Sequence, residues 1–391
     1  MELKPGYKQT EVGVIPEDWD VKALGQIGEA LIGLTYKPGD VRIDGILVLR
    51  SSNIQEDSLR FENNVFVEKE IPDRIMVRPG DILICVRNGS RDLIGKTALL
   101  DERTIGMTFG AFMAVFRSSQ GHFINYTFQS HVIKKQINEH LGATINQITN
   151  KSLNSFLIAL PPNESEQRSI ATALSDMDEL LGGLDRLITK KLDLKQSAMQ
   201  QLLTGKTRLP GFNEDWDMKQ LGDMLTICHG RSQHEVQVED GSYPILATGG
   251  EIGRARSFLY DKPSVLIGRK GTIDQPKYID TPFWTVDTLF YSIIHEFNSA
   301  KFIFYRCCLI DWYKYNEASG VPSLSARTIE KIDIIFPKLE EQTAIASILS
   351  DMDTEIATLE QRRNKTRDLK QAMMQELLTG RIRLLWPWFV K

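Results

Sequence analysis

The segment PNESEQRSIATALSDMDELLGGLDRLITKKLDLKQSAMQQLLTGKTRL, residues 162–209, returns as PKLEEQTAIASILSDMDTEIATLEQRRNKTRDLKQAMMQELLTGRIRL at residues 337–384. The two copies align without a gap, and roughly half of their positions are identical. Such a duplication predicts a repeated structural unit, which usually serves a two-fold partner or a two-fold substrate.

Both copies have the apolar periodicity of long helices. In the first copy, apolar residues alternate at steps of four and three from Ile170 through Leu174 to Ile188, and the second copy repeats this register from Ile345. Gly205 and Gly380 are placed to end the helices. Because neither stripe can be buried alone in water, we expect the helices to pack on each other as an antiparallel coiled coil. Helices packed separately on their own domains are the alternative.

The repeat extends beyond the helices. Residues 16–25, an opener centred on Trp19, recur as residues 213–222 around Trp216. Each copy therefore reads as an opener, a variable globular segment and a helix, so the chain is expected to comprise four parts. These are residues 1–160 and 211–336 as globular domains, residues 161–210 as a central helical spacer, and residues 337–391 as a distal helical spacer with the C-terminal tail.

The globular segments have mixed β and α character. Asp81–Val86 and Ser264–Ile267 are short β-rich runs, each followed by a polar turn containing glycine. The turn Arg87-Asn88-Gly89 occupies the place of Arg269-Lys270-Gly271, but the two segments otherwise show little similarity. Residues 157–160 and 332–336 are predicted final strands that end at prolines.

Composition excludes some classes of protein. With 391 residues, the chain can form two or three domains. No apolar run reaches membrane-spanning length, and the four cysteines form neither metal spacing nor a disulfide framework, so we expect a cytoplasmic protein without membrane contact. The net charge of −4 requires any nucleic-acid contact to come from local patches or from a basic partner.

No catalytic motif is complete, and we predict neither an enzyme nor a bound cofactor or metal. Gly89 to Thr97 resembles a phosphate-binding loop but has five residues, where four are required, before Gly95-Lys96-Thr97. His229 and His234 have no acidic or thiol partner in a zinc-binding register.

Polar and basic side chains interleaved with glycine occur at similar loop positions in both halves. Arg, Asn, Gln and Ser read base edges, whereas Lys and Thr hold phosphates, so these loops are candidate DNA contacts; solvated turns are the alternative. The candidates are Tyr36, Lys37, Arg50, Ser52, Asn53, Arg87, Asn88, Ser90, Arg91, Arg231, Ser232, Gln233, His234, Thr248, Arg269, Lys270 and Thr272. Asn146-Gln147 and Ser323-Leu324-Ser325 form a further matched polar pair.

These features together resemble the specificity subunit of Type I restriction-modification systems over nearly the whole chain. The resemblance is based on Trp19 and Trp216, on residues 80–84, 266–272 and 283–290, and above all on the duplicated helices. It implies an α+β fold in which two mixed α/β target-recognition domains are separated by two long helices, packed as an antiparallel coiled coil with pseudo-two-fold symmetry.

The resemblance further implies a non-catalytic subunit that binds double-stranded DNA. Each recognition domain would read one half of a split, asymmetric target. The helices would set the gap and dock two modification (methyltransferase) subunits, which in turn bring restriction (endonuclease and translocase) subunits. The candidate docking residues are Gln167, Asp176, Asp178, Lys195, Gln196, Gln342, Asp351, Asp353, Lys370 and Gln371. A coiled-coil scaffold that joins two protein-binding domains without touching DNA is the alternative from another class.

Overall fold

The chain forms two compact units in a computed structural model, which describes residues 4–141 and 146–384. Unit 1 comprises Met1–Gly183 and Arg363–Lys391, and unit 2 comprises Leu184–Arg362. Residues 385–391 of the C-terminal tail lie outside the described part. Leu384, the last described residue, packs on the core of unit 1.

Unit 1 contains most of the short strands. They are β1 (Tyr7–Thr10), β2 (Gly13–Pro16), β3 (Asp20–Ala23), β4 (Glu29–Ile32), β5 (Val41–Arg42), β6 (Ile46–Leu49), β7 (Ile54–Gln55), β8 (Ser58–Leu59), β9 (Phe66–Val67), β10 (Ile82–Cys85), β11 (Thr97–Leu99), β12 (Thr108–Phe109), β13 (Met113–Arg117) and β14 (Leu157–Leu160). Its short helices are α1 (Gly121–Gln129), α2 (His131–Leu141) and α3 (Asn150–Ser155). The long helix α4 (Glu164–Leu202) begins in unit 1 and continues into unit 2.

Unit 2 repeats this plan with fewer strands. They are β15 (Asp217–Gln220), β16 (Leu225–Cys228), β17 (Tyr243–Ala247), β18 (Gly250–Ala255), β19 (Ser264–Gly268), β20 (Lys277–Ile279), β21 (Trp284–Thr285), β22 (Leu289–Ile294) and β23 (Asp333–Phe336). Its short helices are α5 (Leu221–Met224), α6 (Ala300–Cys307) and α7 (Ala326–Glu330). The second long helix, α8 (Leu339–Leu377), begins here.

The two globular segments share one strand order, a likeness that sequence comparison had missed. Unit 1 has a sheet of order β11-β10-β13-β4, and unit 2 has its counterpart, β20-β19-β22-β16. A second sheet joins β6 in parallel to β12 and antiparallel to β9, just as β17 joins β21 and β18. The expectation of otherwise dissimilar segments was therefore wrong for the fold, because few positions in these sheets require a particular side chain.

In each unit, the strand in the opener pairs with the final strand of the globular segment. Strand β3, next to Trp19, pairs antiparallel with the final strand β14, and strand β15, next to Trp216, pairs in the same way with β23. Both predicted final strands are confirmed. Because a long helix follows each of them, this pairing ties the start of the helix to the start of its globular segment.

The long helices confirm the predicted register. Ile170 and Leu174 are buried in the core of unit 1, and Ile345 and Leu349 in the core of unit 2. Gly205 and Gly380 follow the helix ends at φ of +70° and +68°, the left-handed conformation that suits glycine.

Contacts between the helices run antiparallel within each unit. In unit 2, Lys191 pairs with Glu355 and, one turn later, Lys195 pairs with Asp353. In unit 1, Asp178 of α4 pairs with Lys370 of α8. The predicted α+β fold with two mixed α/β segments and two long antiparallel helices is confirmed.

Candidate DNA interface

The candidate loops of unit 1 meet at one end of its sheets. Leu34, after β4, forms a bridge with Gly110, and the Gly110 amide donates to the Leu49 carbonyl at 2.9 Å. The Arg87 amide, after β10, donates to the Phe112 carbonyl at 3.1 Å. The loops that follow β4, β6 and β10 therefore form one surface with the turn before β13. We call these loops (Tyr36–Lys37, Arg50–Asn53, Arg87–Arg91 and Phe112) the first loop cluster.

Side chains reinforce this cluster. Asn88 donates from Nδ2 to Ser51 Oγ at 3.2 Å, while its Oδ1 accepts from the Ser90 amide at 3.0 Å. Arg87 lies over the ring of Phe112, 5.2 Å from the ring centroid. Of the predicted contacts, Lys37, Arg87, Ser90 and Arg91 are exposed, and Tyr36, Arg50, Ser52 and Asn88 are half-buried.

Asn53 does not fit the predicted role. It is only 1% exposed, its Oδ1 accepts from the Arg50 amide at 2.9 Å, and its Nδ2 donates to the Arg60 carbonyl at 2.8 Å. A short polar side chain often satisfies backbone groups in this way at a turn. Asn53 therefore holds the loop in shape, and we leave it out of the proposed DNA contacts.

The candidate loops of unit 2 also converge. The Arg231 amide donates to the Thr285 carbonyl at 2.8 Å, and Thr248 Oγ1 donates to the Thr288 carbonyl at 2.6 Å. The Arg269 amide donates to the same Thr288 carbonyl at 2.9 Å. We call these loops (Arg231–His234, Thr248, Arg269–Thr272 and Thr288) the second loop cluster.

The side chains of this second cluster differ in exposure. The guanidinium of Arg269 forms an ion pair with Asp287 and is half-buried. Lys270 and Thr272 are exposed, as are Arg231, Ser232 and His234, whereas Gln233 and Thr248 are half-buried. Lys270 forms a bridge with Ser323, as Arg87 does with Gln147 in unit 1, so the matched polar pair noted in the sequence does join the clusters.

Hydrogen bonds set the correspondence between the clusters. In the strand ladders Cys85 pairs with Met113 and Gly268 pairs with Leu289, so Arg87, two residues after Cys85, corresponds to Lys270, two residues after Gly268. The predicted match of Arg87 with Arg269 was wrong by one residue, because both turns contain Arg and Gly but only the ladder fixes the register.

Two glycines show how closely the loops approach. A Cβ atom on Gly33 would lie 2.3 Å from the Gly110 carbonyl oxygen, and one on Gly230 would lie 2.2 Å from that of Val286. Any side chain at either position would push the loops apart. Counting onward from these glycines, Tyr36 corresponds to Gln233 and Lys37 to His234.

Two of the predicted docking residues are buried and serve the fold. Gln167 donates from Nε2 to the Pro161 carbonyl at 2.7 Å, and Gln342 donates to the Pro337 carbonyl at 2.9 Å. Both side chains clamp the loop that precedes their helix. The prediction that Gln167 and Gln342 dock a partner is therefore corrected, because neither presents a polar atom on the surface.

Four further predicted docking residues bind the two helices to each other. In unit 1, Asp178 accepts from Lys370 Nζ at 2.6 Å and from the Tyr126 hydroxyl at 2.8 Å, and Lys370 lies over the Tyr126 ring. In unit 2, Asp353 pairs with Lys195 and accepts from the Tyr305 hydroxyl at 2.7 Å. Burial raises the pKa of the Tyr126 and Tyr305 hydroxyls most, and the neighbouring carboxylate raises it further.

Each of these ion pairs joins one copy of the repeat to the other. The aspartate of the first copy binds the lysine of the second, and the aspartate of the second copy binds the lysine of the first, at the constant spacing of the duplication. Asp176, Gln196, Asp351 and Gln371 are exposed, so they are the predicted docking residues that a partner can reach.

A second matched contact lies at the helix starts. In unit 2, Arg208 forms a bidentate pair with Glu341 at 2.7 Å, and Trp216 Nε1 donates to the same carboxylate at 3.0 Å. In unit 1, Arg383 donates to Glu166 at 2.8 Å and to Asp18 at 2.9 Å. The hydrogen bond from Arg383 lowers the pKa of Asp18. These pairs join the residues after each helix to the start of the other helix.

Within residues 4–141 and 146–384, no group of three or more His, Cys, Asp or Glu side chains is arranged to hold a metal ion. Thr97 begins strand β11, whereas a phosphate-binding loop leads into a helix. In the same part of the chain, no helix combines the length and apolar character needed to cross a bilayer.

The arrangement agrees with known proteins. The family model of the Type I restriction modification DNA specificity domain matches residues 16–192 and 213–366. The putative type I restriction enzyme MjaX specificity subunit of Methanocaldococcus jannaschii is 27% identical over 424 residues, which cover 97% of each chain. The MjaVIII specificity subunit of the same organism is 24% identical, over 95% of this chain and 94% of that protein.

A solved structure has the same fold. The crystal structure of the Type-I restriction-modification system S subunit from M. genitalium matches with a TM-score of 0.66 at 16% identity, over 97% of this chain and 98% of that chain. The chain therefore belongs to the DNA specificity subunits of Type I restriction-modification systems.

Proposed function

We propose that this subunit reads a bipartite, asymmetric DNA target, one half with each loop cluster. The observation that carries the proposal is the pair of clusters, built on the same strand order but bearing different side chains. Because both clusters are built on the same strand order, both can approach a duplex in the same way, while their different side chains favour different bases.

Local charge supports DNA contact despite the net charge of −4. The first loop cluster presents Lys37, Arg87 and Arg91, and the second presents Arg231 and Lys270, all of them exposed. Lys and Arg supply most phosphate contacts, and arginine also binds guanine in the major groove. The basic side chains thus gather where the loops converge, although the chain as a whole is slightly acidic.

The repeated helices are the proposed docking site for two methyltransferase subunits. The exchanged pairing of aspartate and lysine gives each unit the same local helix surface, including Asp176 in one and Asp351 in the other. Two equal surfaces suit two copies of one partner. In this proposal the subunit is non-catalytic: the methyltransferase subunits carry the methylation chemistry and bring in the restriction subunits, all in the cytoplasm. Residues 1–160 and 211–336 act as recognition domains, and residues 161–210 and 337–391 act as spacers.

Mapping methylated adenines in a host that carries the complete system tests the target. We expect a two-part motif with an unspecified gap, absent from a matched host that has the methyltransferase subunit but lacks this chain. An uninterrupted palindromic motif would contradict a bipartite reading.

Native mass spectrometry of the purified complex tests docking. One copy of this chain should bind two methyltransferase subunits, and a saturated one-to-one complex would contradict the proposal. The assembled complex should also bind target duplex less tightly as salt rises, with log K falling linearly against log salt concentration. Absence of duplex binding by the assembled complex at every salt concentration would instead indicate a protein scaffold.

A further inference from the structure

Phe112 is an exposed aromatic residue in the first loop cluster that the sequence had not suggested. Its side chain is 60% exposed, between half-buried Ala111 and buried Met113. A large exposed aromatic side chain on this polar loop surface offers apolar contact area to a bound partner.

The backbone holds Phe112 firmly. Met113 donates to the Gly110 carbonyl at 2.8 Å, which closes a tight turn around Phe112. The Phe112 carbonyl accepts from the amides of Val86 and Arg87 at 3.2 and 3.1 Å. The exposed ring is therefore part of a fixed loop and not of a loosely held one.

Arg87 covers one face of this ring. Its guanidinium lies 5.2 Å from the ring centroid, and it forms no ion pair with any residue in the described ranges. A cation over an aromatic face is stabilised by the ring quadrupole, and stacking limits the directions that a guanidinium can take. The ring thus pre-orients a positive charge without neutralising it.

The matching position in unit 2 has different chemistry. There Thr288 occupies the place of Phe112, since its carbonyl accepts from the amides of Arg269 and Lys270 at 2.9 and 3.3 Å. Asp287 occupies the place of Ala111 and pairs with Arg269. The first cluster therefore presents an aromatic ring beside Arg87, whereas the second presents the Thr288 hydroxyl beside Lys270 and an arginine bound to a carboxylate.

We propose that Phe112 is a specificity-determining residue of unit 1, whose ring contacts the C5-methyl group of a thymine in the half-site. This inference rests on the proposed function and deepens it. A ring with one face covered by a guanidinium cannot be sandwiched between base pairs, but its edge and free face fit a methyl group in the major groove. Phenylalanine is among the residues that make apolar contact with the thymine methyl, and arginine beside it can reach a neighbouring guanine.

The experiment uses the complex of this chain with its methyltransferase subunits and the target identified by methylation mapping. Each thymine of both half-sites is replaced in turn by deoxyuridine, which removes only the C5-methyl group. At one thymine we expect wild-type affinity to fall about fourfold, the effect of withdrawing one methyl group from an apolar contact. The Phe112→Ala complex should show no loss there, and Phe112→Leu should retain part of it.

The exposed Ile105 supplies a matched control, because it lies before β12, at the end of the sheet remote from the loops, and is 65% exposed. Ile105→Ala should keep the wild-type response to deoxyuridine. The inference is overturned if neither half-site contains a thymine, if no replacement affects wild-type binding, or if Phe112→Ala keeps the full response. Failure of the wild-type complex to bind a bipartite duplex selectively would overturn the proposed function itself, which separates the two results.

Discussion

The two loop clusters have the same frame but different chemistry. In both, a glycine allows a loop to pass within van der Waals contact of a carbonyl, and the polar turn after β10 or β19 bonds to the residue before β13 or β22. Yet Arg87 stacks on Phe112, whereas Arg269 is bound by Asp287. Backbone hydrogen bonds and small residues thus hold the loops of each cluster in place, so the exposed side chains on those loops can differ without cost to the fold.

The helix contacts show the opposite behaviour. Asp178 with Lys370 and Tyr126 has the same chemistry as Asp353 with Lys195 and Tyr305. The contacts that hold the two helices together are chemically the same in both units, whereas the exposed side chains of the loop clusters differ. Five experiments test whether this contrast holds.

The largest expected effect concerns Trp19 and Trp216, which occupy the same position in the two copies of the opener but differ in burial. Trp19 is fully buried, and Trp19→Ala should lower the free energy of unfolding by about 3–5 kcal/mol because it leaves a large cavity. Trp216 is half-buried, so Trp216→Ala should cost less. Urea unfolding followed by circular dichroism measures both, and equal losses would show that the two openers are interchangeable.

The next prediction separates the loop clusters. Arg87→Ala and Lys270→Ala should each weaken target binding on the order of tenfold, as for the loss of one good base contact. Each should relax the methylation motif in one half only, and not in the same half. Arg269→Ala should have a smaller effect, because Asp287 already holds its guanidinium.

Methylated-adenine mapping together with duplex affinity would test this prediction. Simultaneous relaxation of both half-sites by a single substitution would contradict independent clusters. An unchanged motif in all three variants would return these turns to the role of solvated loops.

A smaller effect is expected at the helix contacts, where the two units should behave alike. Tyr126→Phe and Tyr305→Phe each remove one hydrogen bond to a carboxylate, and each should lower the free energy of unfolding by about 1–2 kcal/mol. Markedly unequal losses, measured by urea unfolding, would show that the two contacts are not equivalent.

The same tyrosines predict a pH dependence. Their pKa values are raised in the folded chain, so their contribution is complete below the unfolded value of about 10 and is lost as pH rises from there towards the folded pKa. Unfolding free energy should thus decline above pH about 10. The double variant should show a shallower decline, and an unchanged slope would contradict the assignment.

The smallest effect on stability is expected at Asp176 and Asp351. Both are exposed, so alanine at either should change the unfolding free energy by less than about 0.5 kcal/mol. Each should nevertheless weaken binding of one methyltransferase copy while leaving the other, as seen by native mass spectrometry. Loss of neither copy would remove these aspartates from the docking surface.

The helices and their ends could be predicted because their signals are local. Apolar steps of four and three, and glycine at the C-terminus, are read within one turn of the chain. The final strands were also recognisable, since a short apolar run stops at a proline. In the loop clusters, glycine with Arg, Asn and Ser marked loops that come together in each unit, but not the role of each side chain.

The errors have a common cause. Asn53 was predicted to contact DNA but is buried. Gln167 and Gln342 looked like docking residues because the repeat preserves them, yet they clamp the loops before the helices. A residue that is identical in both copies has the same kind of environment in both units. The sequence does not show whether that environment is a core or a surface.

The duplication, the two long helices with their register, and the loops that carry the polar clusters can be read from the amino-acid sequence. These depend on periodicity and on spacing along the chain. Three other features are seen only in the folded chain: the two unlike segments share a strand order, Arg87 corresponds to Lys270, and the aspartate of each copy binds the lysine of the other. Those features depend on residues far apart in sequence, because strand pairing and burial are properties of the packed chain.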